Sequence, residues 1–130
     1  MVDKIFINGN IPSFKNSKQI TRSGFLVMSK TVRKYLKAYE HEWEDEDTIA
    51  DFKEMLHGRK KPYVIGFHFV RGTRHKFDII NMLQGCQDLM AKHEWIVDDN
   101  ADELIPSPLM IDGRYWTYDH DNPGVYIQVL

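Results

Sequence analysis

Apolar positions along the chain change their period several times, and each change marks an element. In "KIFINGN", apolar and polar residues alternate up to an Asn-Gly-Asn turn, which predicts a first strand closed by that turn. "IPSFKNSKQITRSG" follows as a polar, basic loop, and "FLVM" predicts a second strand. Ser29 is placed to cap a helix on which Val32, Leu36, Tyr39 and Trp43 form an apolar stripe. After an acidic turn, Thr48 and Asp51 stand at capping-box spacing for a second helix, with Ile49, Phe52 and Leu56 on one face and Gly58 at its end.

In "PYVIGFHFV", Tyr63, Ile65, Phe67 and Phe69 lie on one side of a central strand, and His68 faces away from that buried side. A helix over 78–92 collects Ile79, Met82, Leu83, Cys86, Leu89 and Met90 in one broad sector, with Asn81, Gln84 and Asp88 opposite. Past Pro106 and Pro108, "LMIDGRYWTY" predicts a hairpin, because Asp112-Gly113 suits a two-residue turn that needs positive φ. "DNPG" then leads into a last strand, "VYIQVL". Neither an internal repeat nor a linker interrupts this order, so residues 1–130 are expected to form a single α+β domain, a mixed sheet packed with helices.

With 130 residues, 42% of them hydrophobic, the chain has room for one modest core. Its single cysteine, Cys86, excludes an intramolecular disulfide. No apolar run nears the roughly 18 residues of a membrane span, so a reducing cytoplasm is the expected setting and no membrane partner is expected. The six histidines form no close pair for zinc, and no Gly-rich loop suggests a nucleotide cofactor.

The net charge of -2 averages over blocks of opposite sign. Lys15 to Lys37 contains seven cations and no acid, whereas Glu40 to Glu54 has eight acids against Lys53 alone. Arg59 to Lys76 is again purely cationic, and Asp78 to Glu103 is acidic apart from Lys92. Such blocks fit either ordinary solvated surfaces or a phosphate-binding face with carboxylates collected elsewhere.

The acids around the third helix allow two interpretations. Asp78 can accept amide hydrogen bonds at the helix start and meet the positive end of its dipole, and Asp98-Asp99-Asn100 can form a self-bonded turn. Alternatively, Asp78 converges with Asp98 or Asp99 on magnesium, a hard cation that keeps several waters and needs few carboxylates. Such an ion can polarise a phosphodiester and generate hydroxide.

The run Asp78-Ile79-Ile80-Asn81, then "QDLM" with Asp88, then "WIVDDN" with Trp95, Asp98 and Asp99, resembles the RusA-like family of Holliday junction resolvases. "GNIPSFKNSKQ" also looks like that family's first strand and Asn-containing basic loop. The resemblance implies a RusA-like homodimer, phage- or prophage-encoded. It would be a magnesium-dependent endonuclease, with Mn²⁺ as a possible substitute, that resolves four-way DNA junctions by paired symmetric nicks in recombination and repair. Asp78 and Asp99 match catalytic acids, but the family's middle acid falls on Ile80 and its lysine on Gln84. Asn81 and Asp98 are then expected to supply oxygen, giving Asp78, Asp98 and Asp99 as metal ligands and Asn81 as a catalytic helper. The alternative is a branched-DNA-binding protein with weak or no nuclease activity. Lys15, Asn16, Lys18, Arg22, Arg71, Arg74 and Lys76 are the expected DNA contacts, with His75 beside them.

Overall fold

Along the chain come β1 (Ile5–Asn8), β2 (Lys18–Ile20), β3 (Leu26–Met28), α1 (Lys30–Trp43) and α2 (Glu46–Met55). They are followed by β4 (Tyr63–Arg71), α3 (Ile79–Lys92), β5 (Leu104–Pro108), β6 (Trp116–Tyr118) and β7 (Gly124–Val129). The structure is a computed structural model that describes residues 3–14, 18–20, 26–98 and 100–130, with backbone only for 18–20 and 26–28. Strand β4 is the hub of a mixed sheet ordered β1-β7-β4-β5. Strand β7 runs antiparallel along one of its edges. The other edge is shared by two parallel partners, β5 against Tyr63–Phe67 and β6 against Phe69–Arg71. Strands β2 and β3 form a separate antiparallel pair, so part of the expected polar loop is strand. Together with three helices this makes a single small α+β domain.

Local chemistry explains the helix starts. Ser29 caps α1 as expected, its hydroxyl accepting from Val32 N at 3.4 Å. For α2 the cap is Asp45 rather than Thr48, because its carboxylate reaches both Thr48 N and Thr48 Oγ1 at 2.9 Å. Glu46 and Asp47 then occupy the first turn, where the helix dipole favours negative charge, and the acidic segment becomes helix. Asp78 caps α3 through Ile80 N at 3.0 Å.

The apolar faces predicted for α1 and α3 meet the sheet. Ile65, Phe67 and Phe69 of β4 and Val125 and Ile127 of β7 share one core cluster with Tyr35, Trp43, Phe52, Met82, Cys86 and Trp95. The buried polar atoms of that core find partners: Trp43 Nε1 donates to Tyr35 Oη at 2.8 Å, and Trp95 Nε1 donates to Trp43 O at 2.6 Å. Burial raises the Tyr35 hydroxyl and Cys86 thiol far above their usual ranges, so both stay protonated and Cys86 is no nucleophile.

Two sequence expectations change in the folded chain. Asp112 (φ 51°) and Gly113 (φ 77°) make the expected turn, closed by the Ile111–Arg114 bridge, but beyond that bridge Trp116–Tyr118 pairs with β4 instead of extending the hairpin. Pro106 and Pro108 lack donors, and an edge strand bonded on one side tolerates them. His68 is not on an open face: it is 1% exposed, donating from Nδ1 to Leu109 O at 2.9 Å with Nε2 3.1 Å from Thr117 Oγ1. Leu109 comes from the segment joining β5 to β6, and Thr117 from β6 itself. Among the described residues, no helix is long and apolar enough to cross a membrane.

Candidate nucleic-acid interface

Because β4 and β5 are parallel, α3 must return the chain from the C-terminal end of β4 to its N-terminal end. The start of α3 therefore lies beside Arg71, and the residues after it lie beside Tyr63. This one topological fact decides which site residues meet.

At the start of α3, four chain segments are tied together. Asn10, just after β1, accepts Gly72 N through Oδ1 at 2.8 Å. Phe14 N donates to Asn81 O at 3.2 Å, which anchors the beginning of the basic loop on α3. From β6, Trp116 meets Phe77 edge-on, with ring centroids 5.1 Å apart and planes at 87°. Arg74 lies 4.0 Å from the Tyr118 ring centre, within cation–π range. Arg74, His75, Lys76, Phe77, Ile79 and Trp116 line an open cleft, and the carboxylate of Asp78, between Phe77 and Ile79, is turned to Ile80 N as the α3 cap.

Arg74, His75 and Lys76 are exposed, as expected for phosphate contacts. Arg71 requires correction: it is 8% exposed and donates from Nη1 to Ile11 O at 3.1 Å. Its guanidinium sits 4.6 Å from the Phe77 ring centre, and its buried Nε has no hydrogen-bond partner. Burial lowers its pKa, yet an arginine stays charged. Arg71 thus positions Phe77 and adds positive potential from below, without offering an open phosphate site.

Asp78 is exposed at this end, and Asn81 is half-buried one turn along. Asp98 is at the other end. Val97 lines a cleft with Tyr63, Lys61 and Glu103, and Asp98 Oδ2 accepts from Asn100 Nδ2 at 3.2 Å. Fourteen helical residues separate the two ends by roughly 20 Å, against the roughly 2.1 Å that magnesium requires to each oxygen. Asp78 and Asp98 thus belong to opposite ends of α3, one at its N-cap and the other after its C-terminus. Asp99, Lys15, Asn16 and Arg22 lie outside the described residues, as does the side chain of Lys18. Among the described residues, no three His, Cys, Asp or Glu side chains cluster to hold a metal.

Two groups gain a role that periodicity and the charge blocks alone did not assign. Trp116 and Tyr118 were assigned to a hairpin, and only their meeting with Phe77 and Arg74 gives them a surface role. Lys30, Arg33, Lys34 and Lys37 form one exposed cationic face of α1. Their i, i+3, i+4, i+7 spacing was a readable signal. The first turn of α1 contains no acid, so these cations oppose both the helix dipole and each other. No protein-family model matches the chain, and no curated protein does either.

Proposed function

We propose that the chain binds branched DNA, as a homodimer of the RusA-like resolvase type, through the face at the start of α3. The observation that carries this is the cleft that Arg74, His75 and Lys76 line together with an exposed Trp116. The cationic face of α1 supports it, since a like-charged helix surface is relieved by a bound polyanion. A two-fold dimer suits a four-way junction because it presents equivalent surfaces to symmetry-related strands.

The test is a comparison of a synthetic four-way junction with a linear duplex of equal length, titrated in EDTA at several salt concentrations. Tighter binding to the junction is expected, with Arg74→Glu and Lys76→Glu each weakening it and flattening its salt dependence by about 0.9 per lost contact. Equal affinity for both DNAs, or indifference to both substitutions, refutes the proposal.

A second reading, magnesium-dependent nicking of the junction, is favoured by Ile80 and Val97, which are 70% and 81% exposed. Each stands within two residues of one acidic site. Covering both by antiparallel contact between two copies of α3 would bring Asp78 of one protomer to the Asp98-Asp99 pair of the other. Neither Asp78→Asn nor Asp99→Asn protein alone is then expected to nick a junction in Mg²⁺ or Mn²⁺. An equal mixture, reassociated, regains nicking because half of the mixed sites are intact. Failure of the unsubstituted protein to nick eliminates this reading without touching the binding proposal.

A further inference from the structure

We infer that Trp116 is a stacking platform for an unpaired base, with Tyr118 holding Arg74 ready for an adjacent phosphate. The ligand is a single-stranded DNA segment, such as strands opened at a branch point. This rests on the DNA-binding reading and specifies what part of the DNA the face selects.

Trp116 and Tyr118 alternate with Thr117 along β6, so the two rings leave the strand on one side while Thr117 turns inward to His68. They are 41% and 37% exposed, whereas the other two tryptophans, Trp43 and Trp95, are 0% and 1% exposed. Base stacking uses an exposed aromatic face beside cations, provided the ring is held in place. Trp116 is so held: Phe77 abuts it edge-on, and Arg71 braces Phe77 from beneath. Tyr118 in turn orients the guanidinium of Arg74.

Charge decides the kind of partner. An apolar protein surface would leave Arg74, His75 and Lys76 at the rim without counter-charges, whereas a nucleic acid supplies phosphates to them and a π-face to Trp116. In a duplex the base faces are covered by their neighbours, so a protruding ring favours a strand whose bases are unstacked.

Because Trp116 is the exposed tryptophan, its fluorescence reports the site directly. Titration with oligo-dT in EDTA is expected to quench an emission component that iodide also reaches, with oligo-rU quenching it comparably. By fluorescence polarisation of labelled oligo-dT, Trp116→Ala should weaken binding roughly 5- to 100-fold. Trp116→Phe should retain most of the affinity, which separates stacking from misfolding. Binding to a fully paired duplex should change less than threefold in Trp116→Ala. If oligo-dT binds without quenching, or Trp116→Ala binds it as well as the parent, the stacking inference is overturned while DNA binding stands. If neither oligo-dT nor junction binds, both proposals fall together.

Discussion

Gly85 sets helix propensity against packing. A Cβ there would lie 2.0 Å from Phe14 Cδ1, because the segment leading into the basic loop crosses α3 at this position. Alanine is the better helix former by about 1 kcal/mol, but the overlap demands displacement of a ring already anchored through Phe14 N. Gly85→Ala is therefore expected to destabilise the protein by about 1–2 kcal/mol in urea unfolding. The double variant Phe14→Ala/Gly85→Ala should show strong non-additivity, with the glycine replacement becoming neutral or favourable. An additive double variant would place the strain elsewhere. Gly85, Arg71 and His68 share a property that explains why sequence misjudged or passed over them. Each is defined by a neighbour distant in the chain, Phe14, Ile11 and Leu109 respectively.

At the scale of elements, what repeats locally was legible. The apolar sector of α3 and the Ser29 and Asp78 caps follow from 3.6-residue periodicity and the amides left free at a helix start. Strand direction was not legible, since Asp112-Gly113 specifies a tight turn but not which strand the flanking segments join. Helix α1 offers a prediction at this scale. Lys30→Glu puts a carboxylate in the first turn, four residues before Lys34 and three before Arg33. The change should raise the melting temperature by about 1–3 °C at low salt, an increment that salt screens away. In the same variant DNA affinity should fall. A variant that melts lower refutes the charge strain assigned to α1, and one that binds DNA as before removes α1 from the proposed interface.

At the scale of the whole molecule, Glu40 ties α1 to the C-terminal end of α3. Glu40 accepts from Lys92 Nζ at 2.6 Å and from His93 Nε2 at 2.8 Å. Partial burial raises its pKa, but these two hydrogen bonds and the nearby positive charge outweigh that and hold it below its ordinary 4.5. A carboxylate depressed by folding stabilises the native state above its unfolded pKa, and that contribution fades as pH falls through the folded value. Stability should therefore decline below about pH 4.5 more steeply in the parent than in Glu40→Gln, as measured by urea midpoints across pH 2.5–7. Parallel curves for the two proteins would show that this tie is not responsible.

The same scale governs the candidate site. Sequence by itself determined the helix that follows Asp78, its buried face, and the cationic run of Arg74 to Lys76 ahead of it, because those depend on periodicity and on groups a few residues apart. Only the tertiary structure decided which of these residues meet. Parallel pairing of β5 and β6 with β4 sends Asp98 to the far end of α3 and brings Trp116 from β6 to Phe77. A strand's hydrogen bonds can be satisfied by neighbours running in either direction, so its own residues leave that choice to the packing of the whole sheet.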